Sequence, residues 1–169
     1  GGFQFFSRAV TCDLGGTSEN DPVHTNHLGK IPRYAVITRA TAVVTTLSSD
    51  ADHLLKLVFS TDSSGTDNQN LANIQEVIGA GASNSWSSTG AAGAAADINV
   101  GSGAVVKTAY TAIPYDPAGA TDSGLAALDT TGADLYLYLA FANGTHTGGD
   151  SDPSTDPVVR VYLEFAGQD

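Results

Sequence analysis

The sequence predicts an all-β chain: a single antiparallel β-sandwich, jelly-roll-like, of about eight strands. Three observations predict it. Apolar residues alternate with period two in the best-patterned segments, turn-forming residues punctuate the chain at short intervals, and no long stretch carries the period of an amphipathic helix.

The elements follow in chain order. Residues 3–12 form the first strand candidate, opening on Phe3, Phe5 and Phe6. Residues 34–46 are a long β-branched run after Pro32, a residue that suits a strand start. In 54–60, Leu55, Leu57 and Phe59 oppose Lys56 and Ser60. Weaker candidates lie at 71–78, 97–100 and 104–113. In 135–141, Leu135, Leu137, Leu139 and Phe141 share one face, and Tyr136, Tyr138 and Ala140 the other. In 158–165, Val159, Val161, Leu163 and Phe165 oppose Arg160, Tyr162 and Glu164. This is the alternation of half-buried antiparallel strands. Between them stand Gly15-Gly16, Asp21-Pro22, Ser63-Ser64-Gly65, Asn143-Gly144 and Asp156-Pro157. The Ala-rich piece 91–96 is interrupted at Gly93 and makes one helical turn at most.

A length of 169 residues and 17.2 kDa suits one domain, here taken as 1–169. Two long connections interrupt the strands, at about 79–96 and 142–157. The first is Gly, Ala and Ser with Trp86 alone inside it, an anchor residue for a contact.

Seven basic residues face 18 acidic ones, for a net charge of −11. Fifteen of the acids are Asp, which favours turns. A field of this sign repels phosphates and anionic lipid, so nucleic-acid and membrane-surface roles are disfavoured. No apolar run approaches the ~20 residues of a membrane span. The start, Gly1-Gly2-Phe3-Gln4, lacks the basic region of a signal peptide. The expectation is a chain made in the cytoplasm.

No constellation points to catalysis, and no cofactor is expected. Cys12 lies in a predicted strand and is read as a core residue. There is no Gly-x-Ser-x-Gly, and Gly101-Ser102-Gly103 lacks the helix and Lys of a phosphate loop. His24 and His27 have the spacing of two metal ligands, but no third His or Glu completes them, so no metal is expected. His53 and His146 are read as solvated. Asp150, Asp152 and Asp156 offer oxygen ligands on a Gly-rich loop without the spacing of an EF-hand. Asp50 with Asp52, and Asp62 with Asp67, are similar fragments at turns, where Asp caps its own backbone. Asn143-Gly144-Thr145 matches a glycosylation sequon but reads as a turn.

The faces opposite the aliphatic stripes are more telling. Tyr136, Tyr138 and Tyr162 fall there with Arg160, and Tyr and Arg are enriched at interfaces. The candidate interface residues are these four, Tyr136, Tyr138, Arg160 and Tyr162, together with Trp86 of the first loop and the aromatic N-terminus Phe3, Phe5 and Phe6, which is either a core strand or an arm laid on a neighbour. A row of tyrosines also suits sugar stacking, which leaves a carbohydrate- or receptor-binding module as the alternative.

The run from Lys30 to Thr46, with Pro32, Ala35-Val36-Ile37 and a strand ending Val44-Thr45-Thr46, resembles a stretch of small structural proteins of tailed bacteriophages. Leu57-Val58-Phe59-Ser60-Thr61 and the closing strand Val158 to Phe165 extend the resemblance. It departs from the pattern after the central strand, where Gly65 arrives late. The chain looks like a capsid decoration (cement) protein or a related head or tail accessory protein with a β-sandwich fold. The resemblance implies a non-enzymatic virion protein on the capsid exterior. Its partners would be the major capsid protein and itself, as a homotrimer.

Overall fold

The structure, a computed structural model, describes residues 3–15, 18–31, 36–49, 53–66, 69–72, 74–79, 97–101, 105–113, 134–142 and 153–166. Among these there are nine strands and no helix. They are β1 (Phe3–Thr11), β2 (Gly29–Ile31), β3 (Val36–Thr46), β4 (Leu54–Ser60), β5 (Gln75–Ile78), β6 (Ile98–Asn99), β7 (Val105–Ile113), β8 (Leu135–Phe141) and β9 (Val158–Ala166). Every pairing is antiparallel.

One sheet runs β1-β9-β3-β7 and the other β2-β8-β4-β5, with β6 paired to β4. Setting aside the two-residue β6, eight strands run first–eighth–third–sixth in one sheet and second–seventh–fourth–fifth in the other. That is the strand order of a jelly roll, in which the chain crosses between the sheets as two Greek keys. The strand candidates hold to within a few residues, with one addition. β2 was not anticipated, because the three residues Gly29–Ile31 are too few to show a period.

The core fills the space between the sheets. Val10 and Cys12 extend from β1, Ala40, Ala42 and Val44 from β3, and Val159, Val161, Leu163 and Phe165 from β9. Leu55, Leu57 and Phe59 from β4 meet them, as do Leu135, Leu137, Leu139 and Phe141 from β8. These are the aliphatic stripes of the sequence. The small Ala40 and Ala42 lie in one of the two inner strands of their sheet, beside the larger side chains of β9.

The second sheet is covered on its outer side as well. Tyr138 and Ala140, expected to face outward, are buried with Val58 and Leu71 in a second apolar cluster, against which Ile74 and Tyr136 pack. The chain between β4 and β5 folds back over this face. Ser60 Oγ donates to the Ala72 carbonyl at 2.6 Å, and the Ala72 N–H donates to Asp62 Oδ2 at 2.7 Å, closing the excursion. Lys56, also expected outward, is only 4% exposed and pairs with Glu76 at 3.2 Å and Glu19 at 3.6 Å. His53, read as solvated, is buried beside Phe141.

Candidate interaction surface

Outside this covered face, the first sheet carries accessible side chains on its outer side. In β1 the even positions 10 and 12 point into the core, so Phe5, Ser7, Ala9 and Thr11 point out. In β9, Arg160, Tyr162 and Glu164 point out by the same alternation. The register sets Ser7 opposite Tyr162 and Tyr162 opposite Thr41. It also sets Phe5 opposite Glu164, Glu164 opposite Arg39, and Ala9 opposite Arg160. The result is a three-strand platform of aromatic and hydroxyl groups with charges of both signs, Glu164 beside Arg39 and Arg160.

Phe5 is the most exposed large hydrophobic side chain among the described residues, at 62%. Its ring lies 6.1 Å from that of Tyr162 at a tilt of 34°, a diagonal cross-strand pair. Arg160 Nη1 donates to Ser7 Oγ at 3.4 Å beside them. The platform therefore presents a fixed aromatic pair next to a guanidinium, side-chain types that carry binding energy at interfaces.

Of the predicted interface residues, the structure brings together Phe5, Arg160 and Tyr162. Phe6 points the other way and packs on the core over Gly29, where a Cβ would stand 3.5 Å from Phe6 Cζ. Tyr136 and Tyr138 belong to the opposite sheet. Tyr138 is 0% exposed and Tyr136 half-buried, so the expected open row of three tyrosines does not form. Burial of Tyr138 follows from the 61–72 excursion, which lies across it. The Phe3 side chain and Trp86 lie outside the described residues, as do His146, Asp150 and Asp152. Sequence reasoning missed Arg39 and Thr41. Their signal was the alternation of 36–46 combined with a register that a single strand does not reveal.

The histidines have a structural task. The segment before β2 runs alongside β8: the Asn20, Val23 and Leu28 N–H groups donate to the carbonyls of Phe141, Leu139 and Leu137. At the break in this ladder the Leu139 N–H donates to His24 Nε2 at 3.0 Å. Nε2 is therefore the acceptor nitrogen, and Nδ1, 2.7 Å from the Asn26 carbonyl, carries the proton. The ring replaces a missing strand residue in its neutral form. Both nitrogens are committed to backbone, so His24 and His27 do not act as a metal pair. Among the described residues no group of three His, Cys, Asp or Glu side chains is placed to hold a metal.

The His27 ring lies tilted against that of Tyr136, centroids 4.8 Å apart, and its Nδ1 is buried without a hydrogen-bond partner. Burial, and then the charge of Arg8, hold its pKa below the usual 6.5. Burial raises the Asp21 carboxyl above its usual 3.8. Cys12 is pushed up to about 12, by burial first and the charge of Asp156 second, which makes it an inert core thiol.

One further opening lies at the sandwich edge where β1 faces the 23–30 segment. A hollow of about 520 Å³ is lined by Arg8, Thr11, Asp13, His24 and His27 among others. A second of about 260 Å³ adjoins it, with Phe5, Phe6, Leu28 and Lys30.

No family model and no curated protein matches the chain. Two solved structures are similar. A chain in the capsid of Ralstonia phage GP4 matches over 100% of this chain and 86% of its own length, at 13% identity and a TM-score of 0.48. A chain in the capsid asymmetric unit of cyanophage Pam1 matches over 99% and 84%, at 16% identity and a TM-score of 0.34. Likeness at this level is one of overall arrangement and decides no function.

Proposed function

We propose that the chain is a structural protein of a tailed-phage virion that works without catalysis. It decorates the shell exterior, after synthesis in the host cytoplasm, by binding between neighbouring shell subunits as a trimer. The observation that carries this reading is the Phe5–Tyr162–Arg160 platform, in which the exposed Phe5 ring pairs with the half-buried Tyr162 beside the half-buried Arg160 on the outer sheet face. The jelly-roll strand order, common among viral shell domains, is in keeping with it, as is the sequence resemblance of 30–46 and 158–165. The net charge of −11 would keep such a protein away from packaged nucleic acid and anionic membranes. A carbohydrate-binding role loses its main support, because Tyr136 and Tyr138 are withdrawn under the second sheet's cover.

The test is quantitative mass spectrometry of gradient-purified virions of the phage that encodes the chain. The expected result is the chain in many copies per particle, lost when Phe5→Ala and Tyr162→Ala are combined. Virions that lack the wild-type chain overturn the reading.

A further inference from the structure

His24 and His27, three residues apart on the turn beside β8, meet the same pair of tyrosines. The His24 ring stacks on Tyr138 with centroids 5.8 Å apart. The His27 ring meets Tyr138 edge-on at 6.5 Å and lies tilted against Tyr136 at 4.8 Å. The turn is anchored on either side of the two rings. Val23 and Leu28 are buried in the core, and their N–H groups donate to the Leu139 and Leu137 carbonyls at 3.0 and 2.7 Å. Between these anchors Thr25 and Asn26 are exposed. There the turn holds to β8 through the imidazoles, and to the 61–72 excursion through the Asn26 N–H and the Gly65 carbonyl at 2.9 Å.

Both rings are seated as neutral imidazoles. A proton on His24 Nε2 would set an N–H against the Leu139 N–H that this nitrogen accepts at 3.0 Å, and the bond would be lost. A proton on His27 would place a positive charge on a ring whose Nδ1 is buried without a partner, with the Arg8 guanidinium acting on it from β1. The hollow of about 520 Å³ between the turn and β1 is lined by both histidines, Thr25 and Asn26, so the rings have a wet space to turn into.

Between about pH 5 and 8, imidazole is the side chain whose charge changes. The other ionisable groups around the turn are Arg8 on β1, Asp13 lining the hollow, and Tyr136 and Tyr138 on β8. Asp62 lies behind Tyr138 in the excursion, and Lys30 stands in its ion pair with Asp134 at 2.8 Å. Asp21, three residues before His24, is raised by burial, so its protonation favours the folded chain and opposes the histidines.

We propose that the 24–27 turn is an acid-released lid over Tyr136 and Tyr138, with His24 and His27 as its two catches. When both rings take a proton they leave the tyrosines, while Val23 and Leu28 stay in the core and the sandwich stays folded. This is distinct from a loss of overall stability, because opening is confined to four residues. It does not rest on the virion reading. Its consequence is that Tyr136, half-buried beneath His27, becomes accessible in acid.

The experiment is amide exchange by nuclear magnetic resonance on the full chain from pH 7.5 to 5, with the intrinsic pH dependence of exchange divided out and the imidazole resonances followed in the same samples. The Leu139 and Asn26 amides report the lid, and those of Val161 and Leu163 in β9 report the sandwich. The expected result is that protection of Leu139 and Asn26 falls at least about tenfold as the His24 and His27 rings titrate, with β9 unchanged. The double variant His24→Gln with His27→Phe keeps an acceptor and a ring but takes no proton, and it should stay protected at pH 5. Rings that titrate without loss of Leu139 protection overturn the proposal. An equal loss in β9 overturns it in favour of global unfolding. A folded double variant that loses protection as the wild type does overturns the histidines as the catches. If circular dichroism shows the double variant unfolded, the wild-type titration alone decides.

Discussion

The Tyr138 hydroxyl accepts a hydrogen bond from the Gly65 N–H at 2.9 Å and donates one to the Asp62 carbonyl, while its ring lies so close to Gly65 that a Cβ there would stand 2.8 Å from Tyr138 Cε1. One phenol thus pins the 61–72 excursion to the outer face of β8. Phenylalanine at 138 keeps the ring but orphans two backbone groups, so Tyr138→Phe should cost about 1–3 kcal/mol. Gly65→Ala forces the ring or the turn to move and should cost about 1–3 kcal/mol. Urea denaturation of each variant checks both values.

His24 supplies the acceptor for the Leu139 N–H at a break in the ladder. His24→Ala leaves that buried donor unsatisfied and should cost about 1–3 kcal/mol. Asn26, whose carbonyl fixes the tautomer, sits at φ 67°, a conformation that Asn tolerates and β-branched residues do not. Asn26→Val should therefore destabilise by about 1–3 kcal/mol, and Asn26→Gly by much less. Thermal unfolding of the pair distinguishes backbone strain from lost side-chain contacts.

Acid should weaken the fold through His27. Its pKa is lowered in the folded chain, so below the ordinary value of 6.5 the unfolded chain binds the proton more readily. The stability it contributes is complete above pH 6.5 and is lost as pH falls from there through the folded pKa. Asp21 acts in the opposite sense: its raised pKa means a penalty at neutral pH that is relieved as pH falls through its folded value, above 3.8. Comparing His27→Asn with the wild type cancels the Asp21 contribution. Urea midpoints measured from pH 7.5 to 5 should show the wild type losing stability relative to the variant, and parallel curves would contradict the assignment.

Cys12 should be unreactive. With its pKa pushed up to about 12 and no exposed surface, it should resist a maleimide at pH 8 in the folded protein and react once the chain is unfolded in urea. Rapid labelling under native conditions would contradict its place in the core.

Much of the fold was legible because alternation is a local signal. β4, β8 and β9 lie where period-two patterning puts them and β3 where the β-branched run does, and the stripes Leu55-Leu57-Phe59 and Val159-Val161-Leu163 are in the core. Alternation names two faces of a strand but not what lies over each. Tyr138 looked outward because the cover over it, Thr61-Asp62-Ser63-Ser64-Gly65, is polar and betrays its role only at Leu71 and Ile74, and Lys56 because its partners Glu19 and Glu76 come from other segments. The platform was half legible: Arg160 and Tyr162 followed from alternation and Phe5 from the aromatic N-terminus, whereas Arg39 and Thr41 joined them only through a register set by distant segments. The place of β1 at the end of its sheet among the described strands was not legible at all, since strand order is a property of the whole chain.

The central claim is that the β1-β9-β3 face is the contact with a phage shell. Cryo-electron microscopy of shells saturated with the purified chain tests it most directly. The account predicts a three-fold cluster of sandwiches bridging shell subunits, with Phe5, Arg160 and Tyr162 at the contact and the covered β8-β4 face towards solvent. Sandwiches bound with Phe5 and Tyr162 facing solvent, or bare shells at saturating concentration, would contradict it.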